Sequence, residues 1–308
     1  MLRLAVTTNA ETFARVREPL ADRGIAVDHL QAKERSISLT DGDPPATPIA
    51  DGDPPATPDT DSDTTLAEFD VGLVYPGRLM EGAAITAGHE FPWVNGRNAV
   101  LTSRNKAGVL ASLADAGIDV PRSVMLSNPV AESAVVDAVS DLSFPVVVKP
   151  NSATRGVGVA KAGDLDSLCG IVDYLDLVHD FRATGDKSYI VQEFLPDARD
   201  YRVMVVDGDC VGGVERRLPE PTDGRWKHNV HRGGKANGVD LPDSHRQLAE
   251  QVADELDIPY LGVDLLESSG RLVVGETNAR PTVDSAGKYD AGFYDRLADL
   301  IKTTAENG

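Results

Sequence analysis

Cysteine, lysine and long apolar runs are all scarce in this chain, and each shortage closes off a class of function. The 308 residues contain two cysteines, Cys169 and Cys210, which form no close pair in sequence. That leaves no disulfide framework and no cysteine-based zinc site, so a reducing, cytoplasmic setting is the expected one. Cys210 falls in an apolar β run, where a thiol behaves as a small buried hydrophobe. No apolar stretch has the length that crosses a bilayer, and the opening MLRLAVTTNAETF turns polar too early for a secretory signal, so no membrane partner is expected. Positive charge is short too: 30 Lys+Arg face 49 Asp+Glu, for a formal net charge of −19. This balance argues against a broad nucleic-acid-binding face. Lysine is the scarcer base, at 9 against 21 arginines. Abundant Asp with little Lys suits a protein adapted to high salt, where screening relieves the self-repulsion of an acidic surface. The plainer alternative is an acidic cytosolic protein.

What is present is enough apolar material, 41% of residues, to build the cores of two or three lobes. Residues 2–7 read as a strand, Thr12–Arg23 as a helix ended by Gly24, and Ile25–Leu30 as a second strand, a β-α-β opening of a small parallel α/β domain. The pattern stops between about 40 and 65, where DGDPPATP occurs at 41–48 and again at 51–58. A tandem repeat of Asp, Pro and Thr cannot form a core and reads as a disordered insertion. Val71–Tyr75 resumes the domain and Pro92–Asn95 ends it. A new unit opens near Gly96, with one helix predicted over Ser103–Ala116 and stopped by Gly117. Strands follow at Ser123–Leu126, Pro145–Lys149 and from Val159, with helices over Ala131–Val139 and Leu165–Val178. Paired strands then dominate: Tyr189–Gln192, Tyr201–Val206 and Asp209–Val214, then a helix over His245–Leu256 and two last strands. Three units result, 1–95, 96–185 and 186–308.

Those last two strands carry the first chemical signal. Asp264 lies in the apolar run Tyr260–Leu266, which the turn Ser268-Ser269-Gly270 joins to the run Arg271–Gly275. Glu276 and Asn278 sit two apart just after it, so on an extended backbone they point to one side. Two carboxylates and an amide oxygen on adjacent strands suit a hard ion such as Mg2+. Solvated edge carboxylates are the competing reading of that fragment alone. Lys149 ends a second apolar strand just before the glycine-bearing turn Ala153–Gly158, where a lysine can reach phosphate oxygens that backbone N–H groups also approach. The P-loop pattern is absent, and a surface lysine ending an ordinary hairpin stays open. Gln192-Glu193-Phe194 place an amide, a carboxylate and an aromatic at a strand end, suited to a purine or its ribose. Asp200 and Arg202 alternate on one face of the next strand, with Arg202 a candidate phosphate or carboxylate ligand. Lys227, His228, Asn229, His231 and Arg232 form a positive, amide-bearing island in an otherwise acidic chain, as an anionic ligand would require. Neither histidine has a partner at metal-binding spacing.

Taken together, Lys149, the glycine turn, Gln192-Glu193-Phe194, Asp200-Tyr201-Arg202, Asn229 to Gly234, Gly262-Val263-Asp264 and Glu276-Thr277-Asn278 resemble the ATP-grasp superfamily. Within it the chain is most similar to RimK-type α-L-glutamate ligases and the related lysine-biosynthesis, coenzyme F420 and methanopterin glutamate ligases. The resemblance covers roughly 96–300 and implies an ATP-grasp fold, α/β overall and α+β in its C-terminal lobes, preceded by a small Rossmann-like domain. It implies Lys106 and Lys149 on ATP phosphates, Gln192, Glu193 and Phe194 at the adenine and ribose hinge, and Asp200, Lys227, His228 and Asn229 lining the nucleotide site. It also implies Asp264, Glu276 and Asn278 holding two Mg2+ ions, Glu276 bridging and Mn2+ an acceptable substitute. Arg202, Arg232 and Lys149 are the groups implied to assist the chemistry.

The implied activity is ATP-dependent joining of an amino acid, with glutamate the expected one, to a small-molecule or peptide carboxylate through an acyl phosphate. A phosphotransferase on the same fold and a non-catalytic nucleotide-binding protein are the alternatives, and a homo-oligomer is left open. The pattern departs after Asn278: where the family commonly has Ala-Ser-Pro-Gly, this chain has Ala279-Arg280-Pro281-Thr282. That departure bears on the acceptor pocket more than on the metal ligands.

Overall fold

Three main sheets, each covered by helices, carry the chain. The computed structural model describes residues 1–7, 10–30, 32, 35–36, 47–48, 69–87, 91–153, 156–179, 186–218, 226–227 and 233–308. At the N-terminus β1 (Leu2–Val6), α1 (Ala10–Ala21) and β2 (Ile25–His29) form the expected β-α-β unit, with the strands parallel from Leu2↔Ile25 to Val6↔His29. β3 (Arg35–Ser36) and β4 (Thr47–Pro48) make a short antiparallel pair. Thr47 and Pro48 close the first DGDPPATP copy; the rest of both copies lies outside the described residues. β5 (Val71–Val74), α2 (Leu79–Thr86) and β6 (Trp93–Asn95) complete a parallel sheet of order β2-β1-β5-β6.

Helices α3 (Arg97–Arg104) and α4 (Lys106–Asp115) replace the single helix predicted over 103–116. The break is at Asn105, whose Oδ1 accepts the Gly108 N–H at 3.1 Å. Asparagine favours a cap because its side chain takes up a backbone N–H that the helix start leaves unbonded. Beyond them come β7 (Ser123–Ser127), α5 (Glu132–Ala138), β8 (Val146–Pro150), β9 (Ala160–Ala162), α6 (Leu165–His179) and β10 (Ser188–Glu193). Their sheet runs β7-β10-β8-β9, all antiparallel. β10 lies past residue 185, yet it sits inside this central sheet.

The last sheet is built from β11 (Arg199–Val206), β12 (Asp209–Arg217), β13 (Lys235–Gly238), β14 (Tyr260–Ser268) and β15 (Arg271–Asn278), in the order β13-β12-β11-β14-β15. Helix α7 (Asp243–Leu256) covers one face, and α8 (Phe293–Asn307), which the periodicity did not announce, reaches back to β5, β6 and α1.

Packing ties these units together across their sequence boundaries. Val109 and Leu113 of α4 share a core with Val203, Leu261 and Val274 of the last sheet. Leu4, Val71 and Val94 share another with Met204, Val206, Tyr260 and the α8 residues Phe293, Leu297 and Ile301. Each such side chain, fully buried, stabilises by about 1.5–3 kcal/mol. The N-terminal sheet is therefore fixed to the C-terminal one, and the space between them has firm walls.

Candidate active site

The β14–β15 hairpin organises the site. Its turn puts Ser269 and Gly270 at φ +50° and +79°. The register opposes Asp264 to Glu276 and Gly262 to Asn278. Directly opposed residues of an antiparallel pair share a face, and Asn278 follows Glu276 by two, so all three oxygens lie on one side. The strand itself runs through Asn278, so Glu276 and Asn278 are strand residues and do not follow its end. Gly262 is glycine for room: a Cβ there would stand 3.2 Å from Pro281 Cβ and 3.6 Å from Arg202 Cδ.

Sheet neighbours supply the counter-charges. Arg202 is the cross-strand partner of Asp264, and Arg216 that of Asp200. Arg202 Nε and Nη2 donate to the two Asp264 oxygens at 2.6 and 2.7 Å. Arg216 donates to Asp200 Oδ1 at 2.5 Å from Nη2 and 3.1 Å from Nε, and its Nη2 stands 3.0 Å from Asp264 Oδ2. Burial alone would raise the Asp264 carboxyl, but Arg202 and then Arg216 outweigh it and lower it to about 2. The same contacts push Arg216 up against its own burial, so the network is fully ionised at neutral pH. Asp200 and Arg202, singled out on one strand face, thus enter a single network. Arg216, prominent in the sequence only as half of an Arg pair, is the link between them.

Lys106 and Lys149 approach from the other side of Glu276. Lys106 Nζ is 3.2 Å from Glu276 Oε1 and donates to the Ala153 carbonyl at 2.5 Å. Lys149 Nζ donates to the Gly275 carbonyl at 3.3 Å. Burial lowers the Lys149 ammonium from 10.5 to about 8, with Glu276 opposing that shift and Lys106 adding to it. Two buried lysines beside one carboxylate form a cationic wall next to the oxygens of Asp264, Glu276 and Asn278. Those oxygens are hard donors. Asn278 Oδ1 accepts the Arg280 N–H at 2.9 Å, which leaves its second lone pair available. Among the described residues no three His, Cys, Asp or Glu groups gather at metal-binding distance. The set of two carboxylates and one amide nevertheless fits Mg2+, which commonly takes one or two carboxylates and fills its remaining positions with water and phosphate.

A separate cluster forms at the end of β10. Gln192 Nε2 donates to Ser123 Oγ at 2.8 Å. Glu193 is committed to structure: it accepts from the Arg122 N–H at 2.9 Å, and Arg271 Nη1 lies 3.1 Å away. These contacts hold its carboxyl below the ordinary range although burial opposes them. Phe194 meets Trp226 edge-on at 5.8 Å, with Lys161 Nζ 4.7 Å from the Phe194 centroid. Lys227 donates to the carbonyl of Val159, the residue just before β9, rather than within the strand predicted from 159. Trp226 and Lys161 carried no sequence signal of their own; a tryptophan beside the positive island was the available clue. His228, Asn229 and Arg232 lie outside the described residues.

A cavity of about 800 Å³ opens between the last sheet and the N-terminal one. Asp264, Glu276, Asn278, Lys106, Arg202 and Arg216 line it, whereas Lys149 and the Gln192–Phe194 cluster do not. The loop after Asn278 forms part of its wall and is tied down on two sides. Asn95 Nδ2 donates to the Ala279 and Tyr260 carbonyls at 2.6 and 2.5 Å, and Ser103 Oγ accepts the Ala279 N–H at 2.9 Å. Arg280, in the same loop, is lowered to about 10 by burial and by the Arg104 guanidinium.

Whole-chain likeness to solved structures defines the class. A D-cycloserine synthetase aligns over 99% of both chains with a TM-score of 0.71 at 16% identity. A RimK domain ATP-grasp protein from Sphaerobacter thermophilus aligns over 99% of both at 0.62 and 21% identity. The D-alanine–D-alanine ligase of Bacillus anthracis, solved with ATP, gives 0.64 at 17% identity over 100% of this chain and 98% of that one. The fold is an ATP-grasp fold.

The chain belongs to the RimK-like ATP-grasp domain family, whose model matches residues 103–293. A probable alpha-L-glutamate ligase of Citrobacter koseri is 31% identical over 192 residues, 62% of this chain and 60% of the relative. A ribosomal protein bS6–L-glutamate ligase of Escherichia coli is 32% identical over 193 residues, with the same coverage of 62% and 60%. The chain thus spans about 60% of the length of these relatives. No described helix is long and apolar enough to cross a membrane.

Proposed function

We propose that this protein is an ATP-dependent carboxylate–amine ligase that joins L-glutamate to a small-molecule or peptide carboxylate with release of ADP and phosphate. One observation carries the reading: two carboxylates and an amide on facing strands share the cavity edge with Arg202, Arg216 and Lys106, and Lys149 stands beside them. A charge-balanced array of that kind is built for a polyphosphate and its metal. Family membership and the glutamate-ligase names of the relatives support the choice of glutamate. Three lobes, approximately 1–95, 96–185 and 186–308, are our division of labour, with β10 joining the central sheet and α4 packing on the last one.

Asp264, Glu276 and Asn278 would hold Mg2+, two ions in our reading, with Mn2+ able to replace it. The metal supplies charge neutralisation on the phosphate oxygens. Lys149 and Lys106 donate to phosphate oxygens from the far side of Glu276. Arg202 serves as an electrostatic partner of the transferring phosphoryl group. Phe194 and Trp226 present aromatic faces to an adenine, while Asp200, Gln192 and Glu193 fix the strand ends around it; Lys227, His228, Asn229 and Arg232 are proposed to close the nucleotide side. In the first step an acceptor carboxylate oxygen bonds to the γ-phosphorus as the bond to ADP breaks. In the second, the amine nitrogen bonds to the acyl carbon, phosphate departs and the amine gives up a proton. The lobes would exclude water from the acyl phosphate, with a cover from the turn at 153–158, of which residues 154 and 155 lie outside the described residues.

The test is ADP release in molar KCl with Mg2+ and ATP, with L-glutamate against a panel of carboxylate acceptors. ADP formed only when both partners are present, with a product one glutamyl residue heavier, supports a ligase. A stable phosphorylated product formed without an amine would instead identify a phosphotransferase.

A further inference from the structure

Most cations lining the 800 Å³ cavity are already paired. Arg202 and Arg216 meet Asp264, Lys106 meets Glu276, and Arg15 and Lys288 meet Asp284. Lys235 is exposed on β13. Arg104 and Arg280 stand apart: both line the cavity and are partly buried, and neither has a carboxylate within ion-pair distance among the described residues. Two neighbouring guanidiniums without an anion are unusual in a chain of net charge −19.

The geometry shows how they are held and what is left over. Arg280 Nη1 donates to Thr7 Oγ1 at 3.1 Å and to the Tyr75 carbonyl, and Nη2 donates to the Thr7 carbonyl at 3.0 Å. Of the five guanidinium N–H groups, Nε–H and one on Nη2 keep no acceptor among the described residues. These two lie on one edge of the plane, the edge a carboxylate takes with two parallel hydrogen bonds. Gly77 packs over the face of that guanidinium: a Cβ on it would stand 3.1 Å from Nε, 3.4 Å from Cζ and 3.6 Å from Nη2. The Gly77 carbonyl in turn accepts from Arg104 Nη2 at 2.8 Å. One glycine therefore covers the Arg280 face and, through its carbonyl, holds Arg104.

We infer that Arg280 and Arg104 form a subsite for a substrate carboxylate that takes no part in bond making. It would anchor either the incoming amino acid by its main-chain carboxylate or a dicarboxylic acceptor by its second acid group. The inference rests on the ligase reading of the neighbouring oxygen cluster. It also gives a role to the arginine that departs from the family's usual sequence after Asn278.

The test is calorimetric titration of the full chain, saturated with a non-hydrolysable ATP analogue and Mg2+, with L-glutamate, glutarate and glutamyl-glutamate. We expect at least one of these to bind, and Arg280→Gln and Arg104→Gln each to weaken it by about tenfold to hundredfold, as expected for loss of a charged hydrogen bond. Affinity for the nucleotide analogue should stay within about twofold. Arg280→Lys should recover only part of the loss, because a point charge cannot supply the fork. Arg104→Gln leaves every Arg280 anchor intact, so it decides the matter if Arg280→Gln does not fold. Loss confined to L-glutamate identifies the amino acid as the ligand, and loss confined to the dipeptide identifies the acceptor. Equal carboxylate binding by wild type, Arg280→Gln and Arg104→Gln, with nucleotide still bound, overturns the subsite and leaves the ligase reading standing. So does failure of all three probes to bind the nucleotide complex. Failure of wild type to bind the Mg2+–nucleotide analogue at all removes both.

Discussion

Asp264 and Glu276 face each other across the same hairpin, yet their removal should have different structural consequences. Asp264 is 7% exposed and grips Arg202 with both oxygens while Arg216 closes on Oδ2. Its carboxyl lies at about 2 against an ordinary 3.8, which corresponds to about 2–3 kcal/mol in favour of the ionised form. Asp264→Asn removes that charge and leaves Arg202 without its acid; Arg216 keeps Asp200. A loss of about 3 kcal/mol is expected, or a fall in Tm on the order of 5–8 °C. Glu276 has a single lysine contact, Lys106 at 3.2 Å, and its side chain is 38% exposed. Glu276→Gln should therefore cost less than about 1 kcal/mol. Both variants should lose Mg2+-dependent ADP release. Thermal melts without ligand, read beside ADP release, separate the two effects. Equal melting of the two variants would refute the ion-pair argument, and substantial turnover by Glu276→Gln would refute the metal assignment. The sign with pH follows from the lowered carboxyl: the Asp264 contribution is complete above about 4 and is lost as pH falls through about 2.

Lys149 titrates near 8 in the ligand-free protein, so it carries its charge below that pH and loses it above. The KM for ATP should rise by roughly tenfold or more above pH 8, and Lys149→Gln should flatten the profile; a flat wild-type profile would exclude a phosphate contact. Because the folded value lies below the unfolded one, the folded state binds fewer protons between about 8 and 10.5, and the Lys149 contribution to stability grows with pH across that window. Asn95 is fully buried and donates to the Tyr260 and Ala279 carbonyls, so Asn95→Ala should cost about 2–4 kcal/mol and raise KM for the acceptor; an unchanged melt would show that these bonds do not join the lobes. With a net charge of −19, the melting temperature should climb with KCl up to molar concentration, and an insensitive or falling value would remove the salt-adaptation reading.

The elements that share one face over a few residues were legible in the sequence. The β14–β15 hairpin could be read from two apolar runs and a Ser-Ser-Gly turn, and the shared face of Asp264, Glu276 and Asn278 from their spacing on it. The N-terminal β-α-β unit followed from the same kind of local periodicity. What depended on sheet order was not visible. Arg202 opposes Asp264 only because β11 pairs with β14, and Arg216 opposes Asp200 only because β12 pairs with β11. Asn105 separates α3 from α4 near the start of the predicted helix, whose apolar positions Ala107, Leu110, Leu113 and Ala114 all lie in α4, so the periodicity recorded α4 and not the break. The seating of α4 on the last sheet, and of α8 against the first, joins residues distant in sequence, and no local pattern records such contacts. Arg280 was visible as a departure from a family pattern; which of its N–H groups stay unfilled depends on Thr7 and Tyr75 being brought beside it.

The most direct measurement of the central claim follows a heavy oxygen isotope placed in the carboxylate of whichever acceptor supports ADP release with L-glutamate. If that carboxylate is phosphorylated by ATP and then displaced by the amine, one labelled oxygen must leave with the inorganic phosphate. The account predicts labelled phosphate in proportion to ligated product. Product formed with unlabelled phosphate would contradict it.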